Sequence, residues 1–167
     1  MRDALSMFDL IVTFSSTKKI TYQNVIINLH ILDHDYYFKL LDLFLEQDIS
    51  ATLMLFDEIL KEGFDPHNFL IGLAQHFRNL LVCQNPVTLS LLEVSENVKN
   101  KFKDQAKRPS ASFLLSGLNM INQFDQGYKQ SKNQRLHVEL CLMKLSQLDR
   151  VFTISASREE VKKKVLT

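Results

Sequence analysis

The chain has 167 residues, the length of one ordinary domain or of one domain with part of a neighbour. Its hydrophobic fraction of 46% and charged fraction of 23% are typical of globular proteins, and a formal net charge of +1 provides no general attraction to nucleic acid or an anionic membrane. With four glycines and three prolines, the composition favours long helices over a sheet. We therefore predict an all-α fold, a compact multi-helix bundle.

Apolar runs and cysteines indicate where such a chain is located. No uninterrupted apolar run reaches the roughly 18 to 20 residues that span a bilayer, and the N-terminus has no basic region followed by an apolar signal core. Cys83 and Cys141 each lie in an apolar helical run, which favours small buried side chains in a reducing compartment. We expect a cytoplasmic protein with no membrane partner.

Helical periodicity begins near the N-terminus. Residues 3–14 form a first amphipathic segment, and Thr21 can cap a second. A third segment, with the sequence DYYFKLLDLFL, repeats apolar residues at the spacing of one helix stripe. Ser50 is the predicted cap of a fourth helix, which should end at Gly63 because glycine readily takes the left-handed conformation that closes a helix.

The second half of the chain continues the helical pattern. Asp65 is placed to cap a helix whose first turn contains Pro66 and which should run to about Cys83. The pattern then weakens into a short helix and a helix capped by Ser95, before Ser110 starts a stronger one.

The last strong helix covers residues 134–148, where apolar side chains surround most of the circumference. A helix of this kind is usually central in a core. We therefore predict that it is central in the core.

The sequence contains no recognisable constellation for chemistry. It has no glycine-flanked nucleophile elbow and no glycine-rich phosphate loop. A zinc site needs three or four converging ligands, whereas the histidines occur singly. We expect no catalytic residue, no metal site and no cofactor in this chain. The histidines considered as metal ligands and set aside are His30, His34, His67 and His76.

A basic stretch over residues 99–108 is the candidate for contact with DNA. Positive side chains could touch a phosphate backbone, although such a stretch is more often a solvated helix face. The candidate DNA-facing residues are Lys99, Lys101, Lys103, Lys107 and Arg108.

Arg135 and Glu139 lie one helical turn apart on an otherwise apolar helix. If they are buried, each charge needs a partner. Either they satisfy one another and neighbouring backbone groups inside the bundle, or one reaches across an interface to another chain. We favour the first interpretation because an unpaired buried charge is so costly.

Four stretches in order resemble the family of bacterial DNA polymerase III gamma/tau subunits, the ATPase subunits of the clamp loader: MRDALSMFD, ITYQNV, GFDP leading into HFRNLLV, and SKNQRLHVELCLMKLSQL. The stretch LDHDYYFKLLD is similar to versions from the Bacteroidetes group. The resemblance implies that residues 1–31 are part of an AAA+ lid domain, residues 32–149 a helical collar that assembles the subunits, and residues 150–167 a C-terminal extension.

The resemblance also implies a function. The collar would hold ATPase modules in the ring that opens the sliding clamp onto primed DNA. Its partners would be gamma/tau copies, delta and delta-prime, with the clamp and primer–template DNA as indirect partners. The chain itself would not be an enzyme. ATP and magnesium would bind the longer parent, part of a nucleotidyltransferase holoenzyme, where Arg2 matches the sensor-2 arginine.

Within the collar, four residues are candidate interface or core-organising positions: Phe77, Arg78, Arg135 and Glu139. The alternative function is a helical nucleic-acid-binding module that uses the basic stretch.

Overall fold

A computed structural model of the chain describes residues 33–150, and the described residues from His34 onward belong to one compact unit. These residues contain no strand, so the predicted all-α bundle is confirmed. No helix in the described part is long and apolar enough to cross a membrane. The α-helices are α1 (His34–Leu45), α2 (Ile49–Lys61), α3 (Pro66–Cys83), α4 (Glu96–Gln105), α5 (Ala111–Tyr128) and α6 (Gln134–Ser146), and a 3₁₀ helix (Pro86–Leu91) follows α3.

Several sequence predictions fall on other parts of the chain. The helical segments at 3–14 and after Thr21 lie outside the described residues, as do Arg2 and nearly all of the extension 150–167. The predicted domain boundaries therefore remain predictions.

Local capping signals decide where the helices begin and end. The Asp65 carboxylate accepts the N–H of Asn68 at 2.8 Å, and Pro66 occupies the first turn of α3, as predicted. Gly63 has φ +88°, the left-handed conformation expected after α2. The prediction of Ser50 as the cap of α2 is wrong. The N-cap is Asp48, whose carboxylate accepts the N–H of Ala51 at 2.8 Å, so the helix begins earlier.

The core combines aliphatic side chains from every α-helix except α4 with aromatic side chains on α1 to α5. The helices α3 and α5 make the most extensive contact, and α6 packs mainly on α2 and α5. Large side chains from every helix meet there without solvent exposure. The fully buried phenylalanines are Phe44, Phe56, Phe69, Phe77, Phe102 and Phe113.

The prediction that α6 is central in the core is wrong, because only one of its faces is buried. One face, with Val138 and Leu142, lies in the core. Leu136 and Leu140 are 53% and 43% exposed. The physical reason is that the neighbouring helices α2 and α5 cover only one side of α6. An apolar strip therefore remains on its outer side.

Candidate assembly surfaces

Phe77 is a core residue and not a surface contact. Its side chain is fully buried on α3, with ring centroids 6.3 Å from Phe44 and 6.0 Å from Phe113. A side chain so enclosed cannot touch another subunit while the bundle is folded. Of its two predicted roles, only the organisation of the core fits this position.

Arg135 and Glu139 form part of a charged cluster at the junction of α6 and α2. Arg135 Nε donates to Glu139 Oε1 at 2.8 Å, and its Nη2 donates to Asp57 Oδ1 on α2 at 2.8 Å. Lys61 completes the cluster, 2.7 Å from Asp57. The bonds from Lys61 and Arg135 lower the pKa of Asp57 below its ordinary value.

The cluster stands at the surface and not inside the bundle. The side chain of Arg135 is 55% exposed, while those of Asp57 and Glu139 are about one-quarter exposed. The two predicted residues do satisfy one another, but the third member, Asp57, is 78 positions from Arg135 in the sequence. No local pattern could have identified it. The cluster connects α6 to α2. Since its charged groups are partly exposed and paired, none of them is a buried, unpaired charge.

Arg78 is a cation without a carboxylate partner in the described part of the chain. Its Nη1 donates to the Asn79 side-chain oxygen at 3.1 Å and to the Leu91 carbonyl oxygen at 3.3 Å. No carboxylate within residues 33–150 forms an ion pair with it. The side chain is half-buried, so the guanidinium is held in place and retains donors for another molecule.

A groove runs between α3 and α5 beside Arg78. It encloses about 500 Å³, and apolar side chains such as Ile71 and Leu118 line it together with amide side chains. Arg78 lies toward one end and Asp125 toward the other, where Asp125 Oδ1 is 2.9 Å from His67 Nε2. We call this feature, lined by residues 70–78 of α3 and 118–125 of α5, the α3/α5 groove. Sequence reasoning found Arg78 but missed the groove.

The outer side of α6 forms a second apolar surface. Leu136, Leu140 and Met143 follow one another at helical spacing on the side away from the core, and we call them the α6 ridge. Glu139 borders the ridge on one side and Lys144 on the other. In the sequence, α6 carries two apolar stripes. One packs into the core, and the second, which forms the ridge, is more than the core needs.

The groove and the ridge lie on different flanks of α5. Leu118 and Asn122 face the groove. On the other flank, Phe124 contacts α6, since its carbonyl oxygen lies 2.7 Å from His137 Nε2 and the two rings are 4.8 Å apart. The described unit therefore presents two separate apolar surfaces.

The basic stretch is largely occupied by ion pairs. A phosphate group would have to compete with a protein carboxylate at most of its cations, which weighs against a DNA-binding face. Only Lys103, of the five candidates, has no carboxylate partner within residues 33–150. The pairs are Lys99–Glu96 at 3.6 Å, Lys101–Asp35 at 2.7 Å, Lys107–Asp104 at 2.8 Å and Arg108–Asp42.

Histidines in the described part are used in packing and hydrogen bonds. His76 is buried on α3, and its Nε2 lies 3.0 Å from Gln105 Oε1. His67 stacks on Tyr128 with ring centroids 4.7 Å apart. Between residues 33 and 150 no group of histidine, cysteine and carboxylate side chains is arranged to hold a metal ion.

Comparison with known proteins assigns this architecture to a family. Residues 23–161 match the family model described as DNA polymerase III subunits gamma and tau domain III. The chain is 23% identical over 147 residues to DNA polymerase III subunit tau of Bacillus subtilis (strain 168), across 88% of this chain and 26% of that protein. It thus spans about a quarter of that relative's length. Since the family match includes every helix described above, the chain belongs to the domain III family of DNA polymerase III gamma and tau subunits.

Proposed function

We propose that this chain is the collar of a DNA polymerase III clamp loader and acts by association with other subunits of the loader. The observation that carries the proposal is the pair of apolar surfaces, the α3/α5 groove and the α6 ridge, on different flanks of α5. A subunit with a neighbour on each side needs two different contact surfaces. Family membership supports the same role.

In this proposal the chain is a scaffold within a longer subunit. Its share of 26% of the tau relative supports a longer parent. The collar holds nucleotide-binding modules in the ring that loads the sliding clamp onto primed DNA. ATP and magnesium bind those modules, Arg2 of the lid segment senses the nucleotide, and the collar itself catalyses nothing.

The proposed direct partners are gamma/tau copies, delta and delta-prime, and the clamp and DNA are contacted only indirectly. A parent gene of the Bacteroidetes type, read upstream of Met1, should encode a phosphate loop in the same frame. An upstream sequence without one would contradict the proposed parent.

The association itself is tested by mixing. The full chain is combined with the collar domains of delta and delta-prime subunits, and the molar mass of the complex is measured by light scattering. We expect complexes larger than any component alone. Val87→Asp is a control substitution that should leave the complexes unchanged, because Val87 is 82% exposed on the 3₁₀ helix and outside both surfaces. If all components remain monomeric at every concentration and ratio, the proposed assembly role is wrong.

The nucleic-acid alternative predicts a different result. A DNA-binding face would give affinity that falls steeply with salt and disappears when Lys101→Ala is combined with Lys103→Ala. The ion pairs on the basic stretch favour the assembly role, so we expect no such binding in a filter titration.

A further inference from the structure

We propose that the C-terminal segment of the chain, residues 151–167, binds in a groove between α1 and α2 of the same molecule. The groove encloses about 700 Å³ and is lined by residues 39–43 of α1 and 51–62 in and just after α2. We call it the α1/α2 groove. The contact uses neither the α3/α5 groove nor the α6 ridge, and it does not depend on the assembly role proposed above.

One end of the α1/α2 groove is apolar. It lies where α1 passes into α2, since the Asp48 N–H donates to the Leu43 carbonyl oxygen at 3.0 Å. Leu43, Ala51, Met54 and Leu55 line this end. The side chain of Met54 is 68% exposed, so the apolar end is open to another segment.

The other end of the groove has two carboxylates to spare. Glu58 and Glu62 are one helical turn apart at the end of α2 and line the same side of the groove. Neither forms an ion pair with a residue between 33 and 150, although Glu62 Oε1 accepts the Tyr36 hydroxyl at 2.8 Å. In contrast, Asp42 and Asp57, which also line the groove, are each paired with an arginine. The open charge of the groove is therefore negative.

The course of α6 brings the C-terminal segment to the apolar end. Arg135, near the start of α6, bonds to Asp57 in the second half of α2. Ser146, at the end of α6, lies with its Oγ 3.4 Å from Thr52 Oγ1 in the first turn of α2. The two helices are thus antiparallel, and the chain leaves α6 beside the residue that follows Ala51. Residues 151–157 span about 10 Å as a helix and about 23 Å when extended, which is enough to enter the groove.

The sequence of the segment, VFTISASREEVKKKVLT, follows the same chemical order as the groove. Phe152 and Ile154 come first and suit the apolar end. Arg158 and Lys162 follow at the spacing of one helical turn, which is also the spacing of Glu58 and Glu62. Ser157 and Glu160 have the spacing of a capping box, which predicts a helix from about residue 158. The segment carries four basic residues against two acidic ones, so its charge is opposite to that of the groove.

This order sets the register of the contact. Arg158 pairs with Glu58, Lys162 pairs with Glu62, and the segment runs parallel to α2. The family match supports a place in the same domain, because it continues to residue 161, beyond the end of α6.

Paramagnetic NMR of the full chain tests the contact. A nitroxide label is attached to Thr167→Cys in a Cys83→Ser background, in which the native Cys141 is fully buried. The register places the label just past Glu62. We therefore expect the backbone amide signals of residues 61 and 62 to lose intensity, compared with the same sample after the nitroxide is reduced. The amide of Leu118, in the α3/α5 groove, should keep its intensity.

A mixed sample separates an intramolecular contact from one between molecules. Chains that carry the label but no isotope are mixed with isotope-enriched chains that carry no label. We expect no loss of signal at residues 61 and 62 in this mixture, because each groove is occupied by its own segment.

Charge reversal tests the register. Glu58→Lys combined with Glu62→Lys should lower the ratio of bound to unbound segment by at least about tenfold, since like charges then face each other. Adding Arg158→Glu and Lys162→Glu to that variant should restore the loss of signal. Glu93→Lys with Glu96→Lys is the matched control, because it changes the net charge equally at two exposed residues that do not line the groove.

Met54→Asp tests the apolar end in the same way and should also weaken the contact, while circular dichroism checks that each variant keeps its helices. The proposal is wrong if the wild-type signals of residues 61 and 62 keep their intensity, or if the mixed sample loses as much intensity as the labelled chain. It is equally wrong if reversing Glu58 and Glu62 has no more effect than the matched control. None of these results depends on binding to delta or delta-prime, so the assembly role is decided separately.

Discussion

Phe77 and Gly117 are matched across the contact of α3 with α5. A Cβ atom placed on Gly117 would lie 2.4 Å from Cε1 of the Phe77 ring and 2.9 Å from Cδ1. Real side chains do not approach a ring carbon so closely. The glycine therefore lets the ring lie against the α5 backbone, and Phe77 reaches both Phe44 and Phe113 from that position.

We expect Gly117→Ala to destabilise the bundle. Alanine favours a helix over glycine by about 1 kcal/mol, but forcing a methyl group into a packed site costs about 1 to 3 kcal/mol and the buried ring has no room to move. The net loss should be visible in urea denaturation. Gly127→Ala is the control, because there the nearest side-chain atom is His137 Cε1 at 3.3 Å, on a ring at the edge of the bundle. Equal stability of the two variants would contradict the proposed fit.

Two leucines two positions apart on α6 should behave oppositely. Leu142 is fully buried, whereas Leu140 is 43% exposed on the ridge. Leu142→Ala should lower the free energy of unfolding by about 2 to 5 kcal/mol through lost burial and the cavity left behind. Leu140→Ala should change it by no more than about 0.5 kcal/mol. Chemical denaturation measures both, and similar losses would mean that α6 is buried all round.

Local signals in the sequence predict the helices well, and they fail where two of them compete. Asp65 followed by Pro66 marks the start of α3, and Gly63 marks the end of α2, because each acts on its own backbone. At the start of α2, Ser50 and Asp48 are both capping residues. Asp48 is the cap, and the serine lies inside the first turn.

The candidate surfaces depend on contacts between distant parts of the chain, which a single sequence does not reveal. The sequence shows apolar residues around most of the circumference of α6, but only the packing of α2 and α5 decides which leucines are buried. The partner of Arg135 on α2, and the lack of a carboxylate beside Arg78 among residues 33–150, likewise follow from tertiary structure. The family resemblance supplied the expectation of assembly, and the geometry supplied the surfaces.

The two cysteines should react at different rates. Cys141 is on α6, and its side chain is fully buried in the core. Burial raises the pKa of its thiol to about 12. Cys83 is partly exposed at the end of α3, although burial raises its pKa as well. We expect a disulfide reagent to modify Cys83 slowly in the native chain and Cys141 only after unfolding, because the thiolate is the reacting species. In Cys83→Ser, native reactivity should be lost. Rapid native reaction of that variant would contradict the burial of Cys141.

The buried ring of His76 predicts how stability depends on pH. It lies among aromatic rings, with centroids 4.8 Å from Phe38 and 5.0 Å from Phe102. The amide nitrogen of Gln105 donates to the Phe38 carbonyl oxygen and to Asp42, so its oxygen accepts from His76 Nε2. The other ring nitrogen, Nδ1, is buried without a hydrogen-bond partner in the described part of the chain. A proton placed there would have no acceptor, and burial lowers the pKa of His76 to about 3.

The sign of the effect follows from linkage. Between the folded pKa of about 3 and the ordinary value of 6.5, the unfolded chain binds a proton at this position and the folded chain does not. Stability is therefore complete above the unfolded pKa and falls as the pH is lowered through this window. From about pH 7.5 to about pH 5, the free energy of unfolding of the wild type should decrease by about 2 kcal/mol more than that of His76→Phe. Urea denaturation at the two pH values measures the difference.

His76→Phe also loses the bond to Gln105, so its stability is lower at both pH values, and only the change with pH is diagnostic. The lowered pKa of Asp57 affects stability only below its ordinary pKa of 3.8, outside this range, and it does so equally in both proteins. Equal pH dependence of the two proteins would show that His76 does not remain neutral in the folded bundle.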